Sequence, residues 1–247
     1  RIGVVDAGFG GLRDDRFTRR LRVADYLDLT DGDTTGFFRD DCDHGTRVTR
    51  NIGGFSNDTL LGLACKADYY LVKSDLEHGE PREDERRLCR ALAWLAQRQV
   101  DVVNISLGYT VFDDFDGYTP QMLDGRTALC SRFLDSLLDA HPRMVVVQSA
   151  GNEGKNKWRH ISFPGDVAEA VTVGALEESI RRGAKGLLKD VSLFDIYRGP
   201  GVAIGKKSVA FNLVLRADDR SLTGEEADED VQSILAALKA DHNAVLR

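Results

Sequence analysis

The sequence predicts an α/β fold in which a parallel sheet with helices on both faces is followed by a small ferredoxin-like α+β domain. Three observations carry this prediction. Short runs of β-branched residues alternate with amphipathic helical patterns over residues 1–176. From residue 170 onwards the order of elements becomes β-α-β-β-α-β, which is the ferredoxin-like pattern. A length of 247 residues suits one ordinary domain with a small second one attached.

Five short runs rich in β-branched residues are the predicted strands of the parallel sheet. They are residues 2–7, 67–73, 100–108, 144–151 and 170–175. Each run is almost continuously apolar, which is typical of strands whose two faces are both covered by helices. Ligands bind such sheets at the carboxyl ends of the strands, so we expect the functional residues there.

Two of the intervening segments show the apolar spacing of amphipathic helices. In residues 83–99 the positions Leu88, Ala91, Leu92 and Leu95 fall at i, i+3, i+4 and i+7. Residues 127–140 likewise place five apolar side chains on one face, namely Leu129, Phe133, Leu134, Leu137 and Leu138. Both helices are therefore expected to pack against the sheet.

The last part of the chain has a different pattern. It predicts a helix over 177–190, strands over 191–197 and 207–217 joined by a Gly-rich loop, a second helix, and a closing strand over 244–247. Thr223 followed by Glu226 forms the capping-box pattern that begins the second helix.

Composition excludes several classes of protein. The 33 basic and 40 acidic residues give a net charge of −7, which argues against strong sequence-independent binding to nucleic acid or an anionic membrane. No apolar run approaches the about 20 residues that a membrane span requires. The chain begins directly on an apolar strand without an initiator Met, so we expect no signal peptide, and the compartment stays open.

Nothing in the cysteine or acidic patterns predicts a metal or a cofactor. The four cysteines, Cys42, Cys65, Cys89 and Cys130, are widely spaced, so they indicate neither a zinc site nor a disulfide framework. The acidic stretch 28–41 does not match a calcium-binding loop and is interpreted as a solvated loop. We therefore expect no metal and no cofactor.

Three polar residues sit at predicted strand ends or helix starts. Asp6 ends the first strand, His44 begins a helix, and Asn152 follows the fourth strand. Taken singly, each has a structural explanation, as a turn residue, a capping residue and a tight-turn residue respectively. Together, a carboxylate that orients an imidazole, an imidazole base and an amide donor for an oxyanion are three of the four parts of acyl-transfer chemistry.

The motifs around these residues resemble those of the subtilisin-like serine proteases, the subtilases. "VVDAGF" is similar to the family's aspartate motif, "HGTRV" to its histidine motif, "VNISLG" to its substrate-binding strand and "SAGNEG" to its oxyanion motif. The stretch "ISFPGDVAEAVTVGAL" is similar to the loop and strand that come next. The resemblance covers residues 1–176, and Asp precedes His as in subtilisin.

This resemblance implies a role for each matching residue. Asp6 would orient His44, His44 would act as general base and then acid, and Asn152 would donate to the oxyanion. Ser106, Leu107 and Gly108 would pair with the backbone of an extended peptide or protein substrate. The alternative for these last three residues is a strand that simply ends at a glycine turn.

The fourth part, the nucleophile, has no match. Subtilases carry it in a G-T-S-x-A-x-P motif, and residues 153–247 contain no such stretch. The serines after Asn152 all lie in other contexts; they are Ser162, Ser179, Ser192, Ser208, Ser221 and Ser233. Cys42 is only two residues from His44 and would project from the same side of the cleft. We therefore predict an endopeptidase by descent that is inactive or severely impaired.

Residues 177–247 resemble a second family, the ferredoxin-fold anticodon-binding domain that ends the β subunit of bacterial phenylalanyl-tRNA synthetase. The stretches "LFDIYRG", "GKKS" and "LTGEE" carry this resemblance. It implies contact with tRNA, for which Arg198, Lys206 and Lys207 are the candidate phosphate-binding residues. The segment holds 11 basic and 12 acidic residues, so its charge does not support RNA binding independently, and solvated surface charge is the favoured explanation of these side chains.

The two predictions conflict where they meet, because residues 170–175 are a predicted strand of both the parallel sheet and the ferredoxin-like sheet. Loss of the serine-bearing helix would also uncover one face of the parallel sheet, which predicts self-association through that face. Two alternatives to the impaired protease stay open. One is a non-catalytic module that binds peptide or tRNA, and the other is a chimeric junction of two gene fragments without an evolved function.

Overall fold

The computed structural model of the chain describes residues 1–247 except 33, 40, 77–78, 153–156, 198–207, 218–219, 243 and 247. It divides into two compact units, Arg1–Thr172 and Val173–Arg247. The predicted domain boundary after residue 176 lies a few residues beyond this division and stays a prediction. Within the described residues, no helix is both long and apolar enough to cross a membrane.

Six strands build the sheet of the first unit. They are β1 (Ile2–Asp6), β2 (Arg22–Asp28), β3 (Asp68–Lys73), β4 (Val102–Ile105), β5 (Val145–Ser149) and β6 (Val171–Val173). Their spatial order is β2-β3-β1-β4-β5-β6, and β1 pairs in parallel with β3 on one side and β4 on the other. The predicted α/β class with a parallel sheet is confirmed. Strand β2 is an edge strand that the sequence pattern did not predict.

Three helices cover this sheet, namely α1 (His44–Gly53), α2 (Glu83–Gln97) and α3 (Leu129–Ala140). The predicted apolar stripes of α2 and α3 join one core, in which Leu88, Leu92, Leu95 and Leu134 pack against Val5 and neighbouring strand residues. A second core contains Val4, Leu71 and Tyr69 together with partly buried residues of α1. Because β1 places Val4 in one core and Val5 in the other, its two faces are both buried, as predicted.

The face of the sheet that contributes to the second core is not equally buried along all strands. Val4 and Leu71 are fully buried there, whereas Val102 and Asn104 on β4 and Val145 on β5 are only half-buried. The neighbouring residues Val103 and Val146 point to the opposite face of the sheet, where the first core buries them completely. This face is thus less buried at β4 and β5 than at β1 and β3, and the loss of a covering helix stays a prediction.

The second unit contains α4 (Ala175–Gly183), β7 (Leu188–Tyr197), β8 (Ser208–Leu215) and α5 (Gly224–His242). Strands β7 and β8 form an antiparallel two-stranded sheet, and Ile180, Val191 and Ile234 form the buried core. The predicted capping box is confirmed: Glu226 N donates to Thr223 Oγ1 over 3.3 Å, and Thr223 N donates to Glu226 Oε2 over 3.1 Å.

Three predicted elements of this unit need correction. The helix predicted over 177–190 ends at Gly183, and β7 already begins at Leu188. Residues 244–246 form no strand, because α5 continues to His242 and leaves only a short tail. The strand shared by both predictions, β6, lies at the edge of the six-stranded sheet beside β5. The Gly-rich loop over 199–206 lies outside the described residues, as do the candidate tRNA contacts Arg198, Lys206 and Lys207.

Candidate functional site

The carboxyl edge of the parallel sheet brings the predicted aspartate and histidine together. Asp6 is the last residue of β1 and its side chain is fully buried. His44 is the first residue of α1, as predicted, and its side chain is 46% exposed. His44 Nδ1 lies 2.7 Å from Asp6 Oδ1. A buried carboxylate therefore holds one ring nitrogen of a histidine whose remainder is open to solvent.

Close backbone packing delivers His44 to this position. Gly45 N donates to Gly8 O over 2.8 Å, and Thr46 Oγ1 donates to Gly10 O over 2.9 Å. A Cβ on Gly45 would lie 2.7 Å from Gly8 O and 2.9 Å from Asp6 Cβ, which is closer than real Cβ atoms approach. The glycine that follows His44 is thus required for α1 to begin directly beside the end of β1.

The bond between the two residues changes the proton affinity of both. The hydrogen bond to Asp6 raises the pKa of His44, more than partial burial lowers it. Burial raises the pKa of Asp6, and the bond to His44 opposes that rise without cancelling it. Asp6 Oδ1 also accepts the Ala7 N–H over 2.8 Å, whereas Oδ2 is buried with no hydrogen-bond partner in the described part of the chain. With Nδ1–H directed at the carboxylate, Nε2 is the nitrogen left to accept a proton.

A cleft of about 510 Å³ opens beside this pair, and we call it the His44 cleft. Ala7, His44, Asp75, Ser106 and Leu107 are among the residues that line it. The predicted base and two of the three predicted substrate-binding residues therefore face one space. Cys42 also contributes to the wall, and its side chain is 7% exposed.

A buried amide that the sequence analysis did not identify supports the Ser106 side of the cleft. Gln148, near the end of β5, donates from Nε2 to Leu107 O over 2.5 Å and to Ser149 O over 2.9 Å. Gln148 is fully buried. Ser106 Oγ in turn accepts from Asn104 Nδ2 over 2.8 Å. The segment after β4 is therefore fixed by side chains from two neighbouring strands.

Ser162 joins the remaining two predicted segments. A Cβ atom added to Gly108 or to Gly151 would clash with Ser162 Oγ, because the distance would be shorter than any real Cβ contact. Ser162 Oγ itself is buried and has no hydrogen-bond partner among the described residues. Phe163 N donates to Tyr109 O over 2.9 Å, and Ser162 N donates to Ala150 O over 3.0 Å. The predicted substrate-binding glycine and the turn before Asn152 thus pack on one buried serine.

Asn152 itself is exposed and is not among the described residues that line the cleft. Its role as an oxyanion donor stays a prediction, as do the roles of Asp6, His44 and Ser106 to Gly108. Within the described part of the chain, no group of three or more His, Cys, Asp or Glu side chains is arranged to hold a metal ion.

A second pair of buried acids lies at the same edge of the sheet. Asp75 follows β3, is 9% exposed and lines the His44 cleft. Asp84 on α2 is fully buried beside it, and its carboxylate forms an ion pair with Arg87. Burial, together with the charge of Asp84, raises the pKa of Asp75 to about 7. Only three-dimensional packing brings these two acids together, because they are nine positions apart in sequence.

The C-terminal part of the chain is similar to a known domain family. Residues 158–247 match the family model of the ferredoxin-fold anticodon binding domain. The phenylalanine–tRNA ligase beta subunit of Shewanella oneidensis is 37% identical over 128 residues, which is 52% of this chain and 16% of the relative. The same subunit of Geobacillus kaustophilus is 46% identical over 81 residues, or 33% of this chain and 10% of the relative. The chain thus spans a small fraction of these relatives.

Two solved structures to which this chain is similar are named as proteases. The prenylagaramide maturation protease covers 69% of this chain and 51% of its own, with 16% identity and a TM-score of 0.47. The epidermin leader peptide processing serine protease of Staphylococcus aureus covers 69% of this chain and 45% of its own, with 18% identity and a TM-score of 0.47. The predicted C-terminal resemblance is confirmed, and its match begins at residue 158, upstream of the predicted 177.

Replacing the buried carboxylate should change the titration of His44. We expect Asp6→Asn to lower the pKa of His44, because the hydrogen bond that His44 donates to the Asp6 carboxylate is the largest cause of its rise. Histidine ring resonances followed by NMR over pH 4–9 measure this shift. Asp43→Asn is the control, since Asp43 acts on His44 only through a weaker charge interaction. An equal shift in both variants would show that His44 senses general charge rather than its bond to Asp6.

Stability should depend on pH through Asp75. Its pKa is about 7 in the folded chain against an ordinary 3.8, so the folded state keeps a proton that the unfolded chain releases. Stability from this group is therefore lost as pH rises from about 4 through 7. Asp75→Asn should raise the melting temperature at pH 8.5 by at least about 2–4 °C, the effect of about 1 kcal/mol. The difference should vanish near pH 3.5, and thermal melts at both pH values measure it.

Exposed Asp139 on α3 provides the control for that measurement, since Asp139→Asn removes the same charge away from the cleft. A pH-independent gain in the Asp75 variant would contradict the assignment of the raised pKa to this residue.

Proposed function

We propose that the first unit is the peptide-holding part of a serine endopeptidase site that retains its acid–base half and lacks its nucleophile. The observation that carries the proposal is the 2.7 Å contact between His44 Nδ1 and the buried Asp6 Oδ1, beside the cleft that Ser106 and Leu107 also line. Fixed in this way, His44 presents Nε2 as a base for a hydroxyl group. The protease resemblance of the motifs supports the same interpretation.

The acid–base half has a defined chemical capacity. Asp6 selects the tautomer of His44 and stabilises its protonated form, which the raised pKa of His44 reflects. Proton transfer alone does not cleave a peptide bond at a useful rate, because acyl transfer by this route needs a hydroxyl or thiol to attack the carbonyl carbon. The printed sequence contains no G-T-S-x-A stretch to supply that hydroxyl.

Peptide binding does not require the missing group. Extended peptides add to exposed strand-like backbone through main-chain hydrogen bonds. Gln148 binds the carbonyl of Leu107, and Ser106 N donates to Val5 O over 3.5 Å. The carbonyl of Ser106 and the backbone groups of Gly108 are therefore the ones we propose for a peptide. Because Ser162 fills the space behind Gly108, the segment rests on packed atoms and does not need to reorganise on binding.

We expect an extended peptide to bind in the His44 cleft without being cleaved. Addition of N-acetylated hexapeptides should shift the ring resonances of His44, while mass spectrometry shows the peptides intact after prolonged incubation. A fluorophosphonate probe should leave the chain unlabelled. Labelling of any serine would show that the chain holds a working nucleophile, and Ser106→Ala tests the serine that lines the same cleft as His44.

A second function is favoured by the family match over residues 158–247. We propose that this part of the chain binds tRNA, as the name of its domain family suggests. Arg198, Lys206 and Lys207 are the proposed phosphate contacts. The segment 177–247 has nearly balanced charge. Binding of tRNA would therefore depend on a few individual Lys and Arg side chains rather than on an extended positively charged surface.

Gel-shift titration with total bacterial tRNA tests this second proposal. Lys207→Ala should weaken binding uniformly across tRNA species and reduce the slope of log affinity against log salt by about 1, as for one lost phosphate contact. Lys239→Ala removes the same charge from an exposed position on α5 and should change neither quantity. Absence of a retarded band at 50 mM salt would contradict tRNA binding altogether.

A further inference from the structure

A short segment between β1 and β2 concentrates positive charge. Residues 11–22 contain five arginines and two aspartates, a net charge of +3 in a chain whose total is −7. All five arginines are exposed, namely Arg13, Arg16, Arg19, Arg20 and Arg22. Arg22 forms an ion pair with Asp68, whereas the other four form none within the described part of the chain. We call these other four residues the arginine patch.

We propose that the arginine patch binds the phosphate backbone of a nucleic acid. Phosphates repeat at short intervals along such a backbone, so neighbouring guanidinium groups can contact several of them at once. The four arginines are not among the described residues that line the His44 cleft, and they lie outside residues 158–247. The inference therefore goes beyond both proposed functions and rests on neither.

Hydrogen bonds and burial hold the backbone of the patch in place. Arg19 N donates to Asp15 O over 3.0 Å, and Leu21 N donates to Thr18 O over 2.9 Å. Leu12, Thr18 and Leu21 are buried beneath these turns, and the two leucines belong to the second core. The turns thus direct the arginines to solvent from a fixed backbone, which reduces the ordering that binding requires.

Aromatic rings orient two of the four guanidinium groups. Arg13 Cζ lies 4.6 Å from the centroid of the Phe38 ring, and Arg16 Cζ lies 4.4 Å from that of the Phe17 ring. A guanidinium group that packs on a ring keeps its N–H donors at its edge, where they match phosphate oxygens two at a time. Packing of this kind positions the charge without neutralising it.

Nearby polar groups leave the charge of the patch uncompensated. Asp15 Oδ1 accepts the Phe17 N–H over 2.8 Å, and Asp15 Oδ2 lies 3.6 Å from Arg50 Nη1 on α1. This acid therefore serves the backbone and an arginine outside the patch. Arg20 Nη1 donates to Asn57 Oδ1, a neutral partner, over 2.7 Å.

The arginines of α2 show the usual alternative for surface arginines. Arg86 and Arg90 both form ion pairs with Glu83. Arg87 forms one with Asp84. A chain with 40 acidic residues offers many such partners, yet the patch has none among the described residues. The unpaired charge therefore favours an anionic ligand from outside the chain.

The exposed residues of this segment favour a nucleic acid over an anionic membrane. A segment that lies on a membrane surface needs apolar side chains directed towards the lipid. Here Leu12 and Leu21 are buried, and the exposed residues between them are the arginines and Asp14. The net charge of −7 opposes the contact at long range, so we expect moderate affinity that disappears at high salt.

Fluorescence anisotropy of the full chain with single strands of uridine RNA and thymidine DNA tests the proposal. Both should bind at 50 mM salt, because contacts to phosphate do not read the base. The combined variant Arg16→Ala, Arg19→Ala and Arg20→Ala should bind both strands at least 10-fold more weakly. Its slope of log affinity against log salt should be smaller by about 2, as for three lost contacts at about 0.7 each.

Two further combined variants assign the effect to the patch. Replacing Arg126, Arg132 and Arg143 by alanine removes the same charge from exposed positions on or beside α3 and should change the slope little. Replacing the three patch arginines by lysine should keep the slope and weaken binding, because the charge remains while the paired N–H donors are lost. Thermal melts verify that each variant is folded. Equal weakening in the α3 and patch variants would overturn the assignment.

Other outcomes would overturn the inference through a different partner or place. Absence of binding at 50 mM salt overturns it outright. Displacement of the RNA by poly-L-glutamate, as effective as unlabelled RNA at equal negative charge, would identify an acidic polypeptide as the partner. Binding to phosphatidylglycerol vesicles that depends on the patch, without binding to either strand, would identify a membrane. Full affinity in the patch variant together with a loss in Lys207→Ala would place the contact in the second unit.

Discussion

Parallel pairing of β1 with β3 on one side and β4 on the other is the constraint on which the candidate site depends. Because all three strands run in the same direction, their carboxyl ends meet at one edge of the sheet. Asp6, Asp75 and Ser106 come from these three ends and converge although they are up to 100 positions apart in sequence. The helix that carries His44 is then held against the same edge by the contact between Gly45 and Gly8.

This arrangement concentrates buried carboxylates at one place, and that has an energetic consequence. Asp6 is stabilised in its charged form by His44, yet burial still keeps its pKa above the ordinary value. Asp75 has a second acid beside it in place of a base, and its pKa rises to about 7. The two sites show opposite solutions to the same problem, since a basic partner compensates one buried carboxylate while a retained proton neutralises the other. Perturbed acids of this kind are typical of functional sites.

Sequence reasoning succeeded where periodicity or a local motif contained the answer. The five apolar strands, the stripes of α2 and α3, and the capping box at Thr223 are all local patterns. Strand β2 was missed because its charged residues and half-buried positions lack the apolar signal of central strands. Gln148, Ser162 and Asp75 were not identified because their importance comes from neighbours distant in sequence. Single polar residues beside a strand or turn carry no signal that distinguishes them from ordinary surface residues.

Strand β6 shows how two local patterns compete for one segment. The family match begins at residue 158 and therefore includes Val171–Val173, although these residues lie beside β5 in the six-stranded sheet. Among the described residues, β7 and β8 then form a sheet of only two strands, supported by a core of three buried residues. Two-stranded sheets are marginal in water without packing from helices, so the order of this unit depends on α4 and α5. The short apolar strand thus belongs to the sheet that carries the His44 cleft.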